Sequence, residues 1–289
     1  MKKHTVHKYK SVFVFAAVLL YIIPLYAFNW PQLADNIAVF FTQKHADTFN
    51  RGLIFNKPGE VKAADKGDIL ITLKSDIEAA GWFPSTLGNA VIISHKNHIL
   101  TVYGGLEKNS ADDGSGSVEA EALIGISGNS GWKQGEESLQ FQVIDTKIKA
   151  AINPLILMNS AAAAKPFSIK NIRIKKKNDN PITLTNGMHI NGGTYTVFTD
   201  IVPGTMPYTT GVSVNGNLIE KTDYTALKTY LGTLCIQGDK HYDLPTLYPD
   251  TKTLRLAEIV LSKGKNTIDI SVKDIGMKET SFHININVF

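Results

Sequence analysis

The chain has 289 residues, 43% of them hydrophobic and 19% charged, with a formal net charge of +4 and a pI near 8.9. This composition supports a buried core and two modest domains, and it excludes bulk disorder. The basic excess is mild and sits partly in Lys2, Lys3, Lys8 and Lys10, so it gives no argument for a nucleic-acid partner. A single cysteine, Cys235, excludes an internal disulfide and a cysteine-based zinc cluster, and within Leu234-Cys235-Ile236 it reads as a small buried apolar residue.

Met1 to Lys10 is a basic stretch and Ser11 to Phe28 an almost unbroken apolar run. Together they predict export, to the periplasm or cell envelope. Leu25-Tyr26-Ala27 supplies half of a small-x-small cleavage site, so residues 1–27 read as a signal peptide cut after Ala27. The alternative is a retained membrane anchor through residues 11–28, which leaves the rest of the chain in the same compartment. No cysteine lies near the end of the run, which closes the lipoprotein route.

Leu33 to Phe41 fits either one face of a short helix or an entering strand, and periodicity does not choose between them. From Arg51 the pattern is one of short apolar runs bounded by glycine, the mark of small strands and tight turns. Gly52-Leu53-Ile54-Phe55 leads to Pro58-Gly59. Val61 to Ile71 follows, with Lys66-Gly67-Asp68 expected as a hairpin between two strands. Ser75 to Leu87, with Trp82, reads as a loop or short helical excursion. Then come Gly88 to His95, Leu100 to Leu106, a polar glycine-rich loop at Asn109 to Ser117, Ile124 to Gly131 with a tight turn at Gly128-Asn129-Ser130-Gly131, Ser138 to Gln142, and Asn153-Pro154.

The order and spacing of these pieces, over roughly Arg51 to Pro154, resemble the β-sheet core of the lysostaphin-like (LytM-type) zinc endopeptidases that cut peptidoglycan cross-bridges. That resemblance implies a zinc site. A hydrolytic zinc needs about three ligands from His, Asp or Glu, an open position for water, and a base. The family's His-x-Gly-x-Asp motif corresponds to Asn50-Arg51-Gly52-Leu53-Ile54, where the glycine is kept and both ligands are replaced. Its His-x-His motif, followed by Phe-Glu, corresponds to Ser138-Leu139-Gln140-Phe141-Gln142, and the histidine of its Tyr-x-His-Leu motif to Gly105 in Tyr103-Gly104-Gly105-Leu106. The degenerate ligand positions are thus Asn50, Ile54 and Gln140. Ile54 has no donor atom, and neutral carboxamides are poor zinc ligands. No metal and no cofactor is expected.

Other chemistry is not supported by the pattern. His95 and His98 read as a solvated hairpin tip, and His45, His189, His241 and His283 are scattered singly. No Gly-x-Ser-x-Gly elbow occurs, Cys235 with His241 lacks an orienting group, and the pairs Glu119/Glu121 and Glu136/Glu137 read as solvated carboxylates.

Ala161 to Ala164 ahead of Pro166 marks a boundary, which predicts a first domain over residues 28–160 and a second over 166–289. Candidate strands in the second are Phe167 to Ile174, Thr194 to Asp200, Tyr208 to Val214, Leu254 to Leu261, Thr267 to Val272 and Ser281 to Val288, with an Asn215-Gly216 hairpin turn. Tyr224 to Leu234 has apolar residues near helical spacing and reads as a short inserted helix. Glu258 to Leu261 and Gly264 to Ile270 look like the paired closing strands of a bacterial immunoglobulin-like module. The basic run Arg173-Ile174-Lys175-Lys176-Lys177 reads as a solvated strand end.

The expected fold class is therefore mainly β, a lysostaphin-like endopeptidase sheet followed by an immunoglobulin-like β-sandwich. The expected function is that of a noncatalytic envelope protein, a pseudo-enzyme that uses a peptidase-like fold to bind peptidoglycan or to regulate a cell-wall hydrolase. The groove candidates are Asn50, Tyr103, Gly105, Ser138, Gln140 and Gln142. The alternative is a zinc endopeptidase acting on peptidoglycan with unusual ligands.

Overall fold

The computed structural model describes residues 28–74, 85–107, 116–131, 136–158, 166–202 and 204–289. The expected signal segment, Trp82 and the Ala161–Ala164 boundary lie outside the described residues.

Leu33 to Phe41 contains both candidate conformations, a 3-10 turn at Ala34–Asn36 followed by β1 (Ile37–Val39). A small hairpin of β2 (Lys44–His45) and β3 (Thr48–Phe49) leads to β4 (Leu53–Phe55), β5 (Glu60–Lys62), β6 (Gly67–Leu73), β7 (Asn89–Ser94), β8 (Ile99–Leu106), β9 (Ser117–Val118), β10 (Leu123–Ile126), β11 (Leu139–Asp145) and β12 (Ala150–Ile152). The second half runs through β13 (Arg173–Lys175), β14 (Ile182–Thr183), β15 (His189–Ile190), β16 (Gly193–Asp200), β17 (Pro207–Val214), β18 (Asn217–Tyr230), β19 (Thr233–Gly238) and β20 (His241–Tyr242). A one-turn helix α1 (Leu244–Leu247), β21 (Thr253–Leu261), β22 (Gly264–Asp274) and β23 (Glu279–Val288) complete it. The protein is mainly β.

β11 organises the first half. Along one edge it pairs with β8 from Gln140 to Asp145. Along the other it pairs first with β4 (Leu139–Phe141) and then with β12 (Val143–Asp145). Gly52, just before β4, shows why that position tolerates no side chain: an added Cβ would lie 1.9 Å from the Phe141 carbonyl oxygen. The sheet continues β8-β7-β6-β9 on one side. On the other it runs from β12 into β18, with Ala150 opposite Lys228 and Ile152 opposite Ala226, and onward through β17, β22, β23 and β15. Asn153 strengthens this junction: its N–H donates to the Thr225 carbonyl (2.7 Å) and its Nδ2 to that of Tyr224 (3.3 Å).

Two hydrophobic clusters lie against this sheet. One gathers Leu53, Phe55, Val91, Ile93, Tyr103, Leu139, Phe141 and Val143 under the first half. The other lies between the continuation of the sheet and a separate four-stranded sheet ordered β14-β13-β16-β21, with Val212, Ile268, Ile270 and Ile284 from one and Ile174, Val197 and Ile259 from the other. Phe41, just before the small β2–β3 hairpin, and Phe49, in β3, belong to this second cluster.

Three local expectations are corrected. Lys66-Gly67-Asp68 is not a hairpin turn: β5 pairs with β10, whereas β6 pairs with β7 and β9, so the chain changes sheets there. Tyr224 to Leu234 is strand rather than helix. The β18–β19 register shifts between Asp223 and Leu227, and this irregularity leaves buried Tyr224 and Leu227 three residues apart, mimicking a helical period. β21 and β22 do not pair with each other: β21 joins β16, and β22 lies between β17 and β23. The Asn215-Gly216 turn forms as expected, both residues having positive φ (50° and 79°) between β17 and β18.

Candidate functional site

Strand alternation sorts the candidate residues into two faces. On β11, Leu139, Phe141 and Val143 are buried toward the core, whereas Gln140 and Gln142 point to the opposite, outer face. On that face Gln140 stands opposite Ile54 of β4 and Gly104 of β8, and Gln142 opposite Val102. The two positions Ile54 and Gln140, distant in sequence, are therefore direct cross-strand neighbours. Asn50 lies between β3 and β4, three residues before Leu53.

The Asn50 side chain is committed to the backbone. Its Nδ2 lies within hydrogen-bond distance of the carbonyls of Val39 (3.2 Å), Phe40 (3.0 Å) and Gly52 (2.8 Å). Its backbone N–H and carbonyl bond Gln43 and Thr42. This residue fixes the entry to β4, which is what a carboxamide with two N–H donors suits.

Tyr103 is corrected as a groove residue. Its position on β8 opposite Phe141 places it on the core face, where it is fully buried, with its ring 5.2 Å from that of Phe141. Its hydroxyl accepts the Ala64 N–H at 2.8 Å. Burial pushes the phenol up to about 12, against the opposing hydrogen bonds of Ala64 and Thr101. Gly105 acts through its backbone, its N–H donating to Leu87 and its carbonyl accepting from Gly128, both at 2.7 Å. The Ser138 N–H donates to the Gly128 carbonyl (3.0 Å), and the residue is buried.

The alternation of β7 and β8 also brings to the outer face residues that motif reading passes over. Ala90, Ile92 and Val102 share it, and the Leu87 side chain lies over Gly104, 3.1 Å from where a Cβ would stand. Ala90 and Val102 are buried, so the accessible part of the face is narrow and centred on Gln140, Gln142 and Ile92. Reading every second residue of each apolar run was the signal available for them.

The residues at these positions do not fit a zinc ion. Ile54 is apolar, and Asn50, whose Nδ2 is held by three carbonyls, and Gln140 offer only neutral carboxamide oxygens, where zinc requires imidazole or anionic donors. Among the described residues no three of His, Cys, Asp and Glu gather in a group able to hold a metal. His95 has both ring nitrogens engaged, Nδ1 with the Lys66 carbonyl (2.9 Å) and Nε2 with the Thr101 hydroxyl (2.7 Å). The face can hydrogen-bond an amide or hydroxyl through Gln140 and Gln142. Among the described residues it carries no imidazole or carboxylate placed to activate water.

Residues 48–154 match the family model of peptidase family M23, and residues 166–289 match a separate family model. An uncharacterized protein of Treponema pallidum (strain Nichols) is 35% identical over 135 residues, covering 41% of this chain and 90% of the relative. Among solved structures, the chain is similar to one from the SpoIIQ-SpoIIIAH pore-forming complex, at 20% identity and a TM-score of 0.36 over 48% of this chain and 98% of that one. It is also similar to lysostaphin, at 13% identity and a TM-score of 0.35 over 87% of this chain and 89% of that one. The chain belongs to the same family as the Treponema pallidum protein and carries a peptidase family M23 domain at residues 48–154.

Proposed function

We propose that this is a noncatalytic envelope protein whose M23 domain has become a binding surface, for peptidoglycan or for a cell-wall hydrolase that it regulates. The observation that carries the reading is the Ile54–Gln140 cross-strand pair: two positions of the resembled zinc site stand side by side, and neither can hold zinc. The basic stretch and apolar run of residues 1–28 support export. The groove is centred on Gln140 and Gln142, with Asn50, Gly105 and Ser138 shaping it through the backbone contacts described above.

The division into units at residues 28–160 and 166–289 is part of the same proposal, supported by two hydrophobic clusters each drawn mainly from one unit, with Phe41 and Phe49 crossing into the second and Ile275 into the first. So is an immunoglobulin-like character for the second unit, supported by two sheets sharing one core.

The deciding experiment incubates the purified protein with isolated peptidoglycan sacculi and zinc and follows soluble muropeptides over time. No release above a metal-chelated control is the expected result. Release above that control means that the ligands lie elsewhere in the chain and that the protein is an enzyme.

A further inference from the structure

Three hairpin turns stand in a row at one end of the continuous sheet. The register requires it: β7–β8, β11–β12 and β18–β19 are neighbouring antiparallel hairpins, with Ser94 opposite Leu100, Asp145 opposite Ile99 and Lys228 opposite Ala150. The third turn, Leu231-Gly232, presents Leu231 at 88% exposure beside Tyr230 at 48%, and the second presents Ile148 at 44%.

Folding alone does not explain Leu231. Its φ of 47° is in the left-handed region, which costs a non-glycine residue about 1–2 kcal/mol. A hairpin turn of this kind favours Asn or Gly. Here a leucine accepts the strain while keeping its side chain in water, so the fold gains nothing from its presence.

The turns themselves carry lysines, although Asp68 and Glu119 flank the first of them beside Lys66 and Lys96. Lys96 is in the first turn, Lys147 and Lys149 in the second, and Lys228 two residues before Tyr230. The acid at this end of the second turn, Asp145, already accepts the N–H groups of Lys147 (2.9 Å) and Ile148 (3.1 Å). In addition, Phe28, the last residue of the N-terminal apolar run, packs its ring 5.3 Å from that of His95, which precedes the first turn. The chain therefore leaves its apolar run at the same end of the sheet as the tips.

We propose that this end is a membrane-facing edge, on which Leu231, Tyr230 and Ile148 insert into the interface of an anionic lipid bilayer and the lysines meet its headgroups. The apolar tips match the interfacial depth of a bilayer and the lysines its surface charge. The inference goes beyond the proposed function and is independent of whether the M23 face is catalytic.

The test uses the full chain with Cys235→Ala and an environment-sensitive fluorophore at Leu231→Cys. A control places the label at Leu218→Cys, an exposed site near the opposite end of β18. Tethering by the N-terminal run, which leaves the fold near the tips, favours the label at 231, so the salt and lysine dependence of the response, which tethering does not share, separates the two. Mixed phosphatidylcholine–phosphatidylglycerol vesicles are expected to blue-shift and brighten the label at 231 but not at 218. The response is expected to fade with salt, and each lysine changed to glutamate among 147, 149 and 228 should weaken it by about fivefold or more. Equal responses at both labels, no response, or the same response on neutral phosphatidylcholine overturn the proposal. A concentration-dependent shift without vesicles also overturns it, by showing that the tip meets a second copy of the chain.

Discussion

The two sheets of the second half are joined through a buried ion pair whose removal has a definite expected cost. Glu220 of β18 and Arg255 of β21 lie on opposite sheets, with side chains only 3% and 9% exposed. Both carboxylate oxygens accept from the guanidinium; Oε2 also accepts the Glu258 N–H at 3.0 Å, and Arg255 lies 5.0 Å over the Tyr242 ring. Arg255→Met leaves a buried carboxylate without its counter-charge, which costs about 3–5 kcal/mol. At about 2–4 °C per kcal/mol the melting temperature should fall by about 6–20 °C. The double variant Glu220→Leu/Arg255→Met should recover most of that loss, because replacing both partners with apolar groups removes the desolvated charge as well as the attraction.

The pH dependence has a matching sign. Burial pushes the Glu220 carboxyl up, but its bonds with Arg255 and the Glu258 N–H oppose burial, and the carboxyl is held below its ordinary value of 4.5. A carboxyl lowered by folding stabilises fully above its unfolded value and loses that contribution as pH falls through the folded one. The gap between wild type and Arg255→Met should therefore be widest near neutral pH and narrow in acid. Urea unfolding of both variants from pH 7 downward measures it. A single-variant loss under about 1 kcal/mol, or a double variant as unstable as the single, refutes the reasoning.

Two further outcomes follow from residues that face different ways. Tyr103→Phe removes the acceptor of a buried N–H, so it should destabilise by about 1–3 kcal/mol in denaturant unfolding while leaving any sacculus binding unchanged; weakened binding with unchanged stability would return Tyr103 to the groove. Leu231→Asn relieves the left-handed strain and should raise stability by about 1 kcal/mol in the same assay while reducing vesicle association; a loss of stability would mean that Leu231 packs within the fold.

Much of the first half was legible in the chain itself. Glycine-bounded apolar runs gave the short strands because alternation and turn chemistry are local. Ile54 could be recognised as unable to bind metal from its side chain alone. Asn215-Gly216 likewise determined its own turn. What the chain did not disclose depended on partners distant in sequence. Tyr103 was expected in a groove because a motif carries no direction, and only its register against Phe141 sends it into the core. Tyr224 and Leu227 imitated a helix because a register shift, invisible without β19, displaces the alternation. The pairing of β12 with β18, which continues one sheet through both halves and brings three turns to one end, rests on non-local backbone hydrogen bonds. Local sequence decides which segments become strands, whereas the packing of whole faces and edges decides which strands meet and which side chains remain in water.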